Sequence, residues 1–221
     1  MSMQVTANQT DAGIELLPSS LVGQSLRCVR NDRVLFENLD IRLNAGEILQ
    51  IDGANGSGKT SLIRILSSLA QPDEGQVCWK GKDIHAFRTD YLEDLLYVGH
   101  SNAIKVDLSL LENMFFARAL SVKANEQIFE DVLHRLGLLE HADLPASNLS
   151  SGQKRKLALS RLLVCDAKLW ILDEPLNSLD ESSKAVVTDI IRAHIKAGGS
   201  LVLTTHEEIT WDDIRINRVS L

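Results

Sequence analysis

A chain of 221 residues with 44% hydrophobic content can build one sizeable core, but aromatics at 5% leave that core to Leu, Ile, Val and Ala. A net charge of -7 argues against nucleic acid as the main partner, since phosphate-backbone binding needs a basic face; a nucleotide needs only local donors and stays open. No run approaches ~18 apolar residues, so work at a membrane would require a membrane-embedded partner.

In chain order, residues 1–20 are polar and aperiodic and read as a disordered lead-in, with no apolar run of a secretory leader between Met1 and Gly13. One domain is expected over 21–221. Short apolar pieces at Leu26–Val29, Val34–Phe36 and Leu39–Leu43 read as strands separated by turn residues. Glu47–Asp52 reads as a buried strand, followed by a glycine-rich turn and a helix over Lys59–Leu69 with Leu62, Ile65, Leu66 and Leu69 on one face. Gln76–Lys80 is a further strand. The stretch of about 90–168 reads as mostly helical, with helices over Leu110–Leu120, Asn125–Leu136 and Gly152–Val164. The last third alternates again: strand Leu169–Leu172, helix Glu181–Lys196, strand Ser200–Thr204 and a final strand over Ile214–Leu221. The pattern predicts an α/β sheet carrying an inserted helical lobe. Cys28, Cys78 and Cys165 are widely spaced, without C-x-x-C, and read as reduced thiols.

The strongest motif is Gly53-Ala54-Asn55-Gly56-Ser57-Gly58-Lys59-Thr60, which fits G-x-x-x-x-G-K-[ST]. Glycines let successive backbone N–H groups turn inward onto phosphates, and the helix that follows adds its positive N-terminal end. Lys59 supplies a full charge to the terminal phosphates and Thr60 a hydroxyl to Mg²⁺, with Ser61 next in line. By itself this says nucleotide triphosphatase and no more.

Leu169-Trp170-Ile171-Leu172-Asp173-Glu174-Pro175 is an apolar strand ending in two acids. Asp173 would sit near the metal, and Glu174, one residue on, could hold an attacking water and take its proton. Leu149-Ser150-Ser151-Gly152-Gln153 resembles the L-S-G-G-Q signature of ABC proteins, with Ser151 in place of the first glycine. Asn177-Ser178-Leu179-Asp180 resembles their D-loop, and Thr204-Thr205-His206 their switch histidine. Order and spacing resemble an ABC nucleotide-binding domain over about residues 21–215. The resemblance implies a P-loop NTPase of ABC type, with a RecA-like mixed sheet core, an antiparallel β edge and an inserted helical subdomain. It also implies a homodimer that sandwiches ATP between Gly53–Thr60 of one copy and Ser150–Gln153 of the other, with Mg²⁺ at Thr60 and Asp173. Glu174 would then be the base, His206 would contact the γ-phosphate and orient Glu174, and Asp180 would cross between copies. Lys154, Arg155 and Lys156 crowd the first turn of the signature helix against its dipole; an anion from the facing copy would relieve them.

Two positions depart from the family pattern. Arg30 falls where a tyrosine usually stacks on adenine; a guanidinium also stacks on a base. His100 or Ser101 occupies the slot of the Q-loop glutamine. These departures, with Cys28–Arg33 and Leu96–His100, resemble the ATP-binding subunits of the haem exporters of bacterial cytochrome c maturation. That likeness implies a peripheral place on the cytoplasmic side of the inner membrane, integral membrane partner subunits, and ATP turnover serving haem delivery. None of these residues gives a physical ground for a haem contact, and no direct haem site is inferred; the link to haem rests on the resemblance alone. The alternatives are an ABC transporter for another small molecule, or an ATP-gated module with little turnover.

Overall fold

The computed structural model describes residues 21–119, 129–205, 209 and 211–221. The lead-in expected over 1–20, the start of the helix expected from Asn125, and His206 lie outside the described residues.

Two sheets form. The first is antiparallel and four-stranded, built from β1 (Leu21–Arg30), β2 (Arg33–Leu43), β4 (Glu74–Trp79) and the short β5 (Lys82–Asp83), in the order β2-β1-β4-β5. The second is parallel throughout: β3 (Glu47–Asp52), β6 (Leu95–Val98), β7 (Leu169–Asp173), β8 (Ser200–Thr204) and β9 (Arg215–Ser220), in the order β6-β7-β8-β3-β9. Near-continuous apolar runs in β3, β7 and β8 follow from this. A parallel sheet is covered on both faces, so successive residues of one strand are buried in opposite directions. Leu169, Ile171 and Val202 join a core under the antiparallel sheet and α1 (Lys59–Leu66). Their neighbours Trp170, Leu172, Leu201 and Leu203 join a second core made with the helices α3 (Leu110–Ala119), α4 (Phe129–Arg135), α5 (Ser151–Leu159), α6 (Arg161–Val164) and α7 (Glu181–Lys196).

α7 shows how the sequence selects an element. Asp180 caps it by accepting from the Ser183 N–H at 2.7 Å, and Val187, Ile190, Ile191 and Ile195 bury one stripe at helical spacing.

The structure corrects three expectations. α1 ends at Leu66, short of Leu69, because Ser68 turns left-handed at φ 56° and the Leu69 and Ala70 N–H groups fold back on the Arg64 carbonyl. Leu69 is consequently half exposed. The stretch expected to be mostly helical from about residue 90 contains only the end of α2 (Arg88–Asp94) before it enters β6, which pairs with β7 in the parallel sheet. A run as short as Leu95–Val98 carries no periodicity that separates strand from helix. The signature helix breaks at Ser160, whose hydroxyl donates to the Leu157 carbonyl, so two helices stand where one is expected.

On α7, the His194 ring lies flat on Trp170, with centroids 3.7 Å apart and planes 4° from parallel. Burial holds the imidazole down to about 4, against the pull of the Ser200 carbonyl. The unfolded chain therefore binds the proton first, and stability rises with pH across this window. Lowering the pH from about 6.5 to 4 should remove up to about 3 kcal/mol of unfolding free energy. Urea titrations should show a smaller loss in His194→Phe, which keeps the ring stack without the titration.

Candidate functional site

The glycine loop leaves the carboxyl end of β3, the acids leave that of β7, and Thr204 ends β8, the strand between them. In parallel strands these ends share one edge, so the pairing order brings together residues more than a hundred positions apart. Arg30, Leu35, Ala54, Asn55, Gly56, Gly58, Lys59, Thr60, Ser61, Asp173 and Glu174 line one cavity of about 280 Å³ there.

Each wall has a local cause. Gly53 sits at φ 149°, and a Cβ on it would come within 2.5 Å of Ser57 Oγ and 2.9 Å of the Leu221 carbonyl. No other residue fits that turn without displacing backbone. The Lys59 ammonium is buried and donates to the carbonyls of Gly53 and Ala54, which hold it across the loop. Ser57 Oγ is buried with no hydrogen-bond partner among the described residues. A buried hydroxyl without a partner is costly, and a phosphate oxygen is one group that would satisfy it.

The acids are held from behind. Asp173 and Thr204 are in register across β7 and β8, and the Thr204 hydroxyl donates to Asp173 Oδ1 at 2.7 Å. The Thr204 hydroxyl oxygen in turn accepts the Glu174 N–H at 3.0 Å. Glu174 has φ 49°, an uncommon conformation for a residue with a side chain. Its carboxylate accepts from Asn177 Nδ2 and lies 3.7 Å from His100 Nδ1. Among the described residues no group of three or more His, Cys, Asp or Glu side chains could hold a metal together. A cation at Thr60 and Asp173 would take its other ligands from phosphates and water, the usual arrangement for Mg²⁺.

Other expected residues lie elsewhere. Arg30 reaches the cavity but also sits 3.5 Å from Asp73 and donates to its own Val29 carbonyl. Ser101 is exposed. Ser150–Gln153 do not line the cavity of their own chain; they begin α5 with a capping box, in which Ser150 and Gln153 exchange side-chain and backbone hydrogen bonds. A Cβ on Gly152 would meet the Ser178 carbonyl at 2.9 Å, whereas Ser151 is exposed. The first glycine of the signature is therefore replaceable here and the second is not.

Of the three cations expected in the first turn of the signature helix, Lys156 lies in the last turn of the short α5, and Arg155 is not aimed at an outside anion. It is buried and donates to backbone carbonyls behind Asp173 and Glu174. Lys154 donates to the Ser147 carbonyl. Sequence reasoning gave Thr204 and Arg155 no place behind the acids. For Thr204 the signal was a hydroxyl at a strand end beside a strand that ends in Asp; for Arg155 there was none.

The family model described as ABC transporter matches residues 36–177, a span that includes both the loop and the acids, and the chain belongs to that family. It is thus an ATP-binding chain of the ATP-hydrolysing type. Among its relatives, the cytochrome c biogenesis ATP-binding export protein CcmA of Photobacterium profundum is 39% identical over 213 residues, covering 90% of this chain and 97% of its own. The protein of the same name from Nitrosospira multiformis is 43% identical over 203 residues, covering 91% and 98%. A solved ATP binding subunit of an ABC transporter matches at TM-score 0.77 with 21% identity, over 84% of this chain and 79% of its own. A putative ABC transporter ATP-binding protein from Pyrococcus furiosus matches at 0.77 with 23% identity, over 90% and 97%. At those identities the structures speak for the fold alone.

Replacing Thr204 by Val keeps the volume but leaves a buried carboxylate oxygen and the Glu174 N–H without their partner. The expected cost is about 1–3 kcal/mol in denaturant unfolding, with Thr204→Ser retaining most of the stability.

Proposed function

We propose that this chain powers an ABC exporter serving c-type cytochrome biogenesis, with haem delivery as the work done, by hydrolysing ATP bound at Gly53–Ser61. The observation that carries the chemistry is the meeting of the glycine loop, Asp173 and Glu174 around one cavity. The cargo rests on the relatives named for cytochrome c biogenesis export.

In this reading the loop amides and Lys59 hold the triphosphate, and Ser57 Oγ accepts the role its burial leaves open. Glu174 orients a water and takes its proton as the water oxygen bonds to the γ-phosphorus. The bond from that phosphorus to the bridging oxygen breaks, leaving ADP and phosphate. Thr60 and Asp173 would hold Mg²⁺, which when bound neutralises charge on the phosphate oxygens. Positioning and charge neutralisation are most of what phosphoryl transfer needs. His206 serves as the γ-phosphate contact, and Arg30 lies where the base would stack.

The assembly is a homodimer. Supporting this, Ser150–Gln153 lie away from the cavity of their own chain, so a signature that meets nucleotide must meet that of a second copy. Asp180 would act across the same interface as well as capping α7. No helix among the described residues is long and apolar enough to cross a membrane. The dimer would sit on the cytoplasmic face of the inner membrane through integral membrane subunits, with the segment of Gly99–Ile104 near the junction.

Glu174→Gln should lower steady-state turnover by about 10²–10⁴-fold while ATP still binds, as for a lost general base; unaltered turnover would remove Glu174 from the chemistry. Lys59→Ala should abolish retention of labelled ATP in equilibrium binding, and wild-type affinity would overturn the loop assignment.

A further inference from the structure

Arg155 is 4% exposed, and its guanidinium collects acceptors from two distant parts of the chain. Nε donates to the Pro175 carbonyl at 3.2 Å, and one terminal nitrogen to the carbonyls of Asp173 at 2.9 Å and Glu174 at 2.8 Å. The other terminal nitrogen donates to the Gly99 carbonyl at 2.9 Å and to Asn102 Oδ1 at 3.2 Å. No carboxylate is among these partners. Burial makes the charge costly and lowers its pKa, while the nearby Asp173 and Glu174 charges pull it back up. An apolar side chain would fill such a space at less cost than an ion. What an apolar residue could not supply is a rigid planar fork, and a lysine would offer one nitrogen where three are used.

The acceptors are specific ones. Glu174 holds a left-handed backbone at φ 49°, and such conformations persist only when their surroundings over-determine them. Thr204 Oγ1 secures its N–H on one side and Arg155 its carbonyl on the other. Gly99 and Asn102 bracket His100, whose Nδ1 stands 3.7 Å from Glu174 Oε2. A single buried guanidinium thus grips the Glu174 peptide and both ends of the strap facing its carboxylate.

We infer that Arg155 is a positioning residue for ATP hydrolysis, which fixes the Glu174 carboxylate in the cavity and ties it to the 99–102 strap without touching nucleotide. Shifting the strap and shifting the Glu174 peptide become one movement. The assignment rests on the reading of Glu174 as the group that takes the water's proton.

The test is Arg155→Lys and Arg155→Gln in the full chain, alone and combined with Glu174→Gln, measuring kcat, KM for ATP and equilibrium ATP binding. In the otherwise wild-type chain kcat should fall about 10–100-fold, the scale of an ångström-sized misplacement, with KM and ATP affinity changed less than about twofold. In the Glu174→Gln background the same substitutions should cost less than about twofold more, because the group they misplace is already disabled. A folded Arg155→Lys with wild-type kcat overturns the proposal, as does an undiminished loss in the Glu174→Gln background. If Glu174→Gln alone turns over like the wild type, the reading of Glu174 fails first and this assignment falls with it. Should both Arg155 variants fail to fold, Asn102→Ala removes one leg of the bridge. It should lower kcat about 2–5-fold at unchanged KM, as for one hydrogen bond, and an unchanged kcat overturns the link to the strap.

Discussion

A parallel sheet buried on both faces can offer chemistry only at the ends of its strands. β3, β7 and β8 spend their side chains alternately on two cores, so apart from the buried Gln50 of β3 their polar groups stand at the strand ends, with Asp52, Asp173 and Thr204 at the carboxyl edge. The order β7-β8-β3 then decides which ends are neighbours. The glycine loop and the two acids are separated by β8 alone, and the cavity between them follows from strand pairing rather than from chain proximity.

That edge is expensive to build. Where a strand stops, its backbone groups lose their ladder partners and need others. At the tip of β7 the replacements are the Thr204 hydroxyl on one side and the Arg155 guanidinium on the other. They do more than satisfy hydrogen bonds, because the residue between them is Glu174, held in a conformation that most side chains avoid. The supporting groups come from β8 and α5, so the core sheet and the helical lobe jointly determine where one carboxylate stands. The close approach of Gly152 to the Ser178 carbonyl adds a second junction between the start of α5 and the loop after β7.

Much of the site was legible because its chemistry is local. A loop that wraps phosphate must be glycine-rich and contiguous, and a strand that ends in Asp-Glu shows both its burial and its tip in seven residues. The burial of β7 was equally visible as an unbroken apolar run, whereas the division of its side chains between two cores was not. Less visible were features set by competition between neighbours. Leu69 continues the apolar stripe of α1, yet a left-handed Ser68 ends the helix before it. Leu95–Val98 is too short to declare its period, and only pairing with β7 makes it a strand. Arg155, one of three adjacent cations, looks in the sequence like part of a solvated or anion-seeking face. Its burial depends on carbonyls contributed by segments some twenty and fifty residues away.

From the residues alone came the nucleotide loop, the paired acids and the membership of a known family, because each is a short run whose residue types the chemistry dictates. Tertiary structure alone decided which strand ends meet, that Ser150–Gln153 stand apart from their own chain's cavity, and that a cation of the signature helix is buried behind the acids. The reason is physical: contiguous motifs are written in one stretch of chain, whereas strand order and the satisfaction of buried polar groups are settled between stretches, where no single segment carries the information.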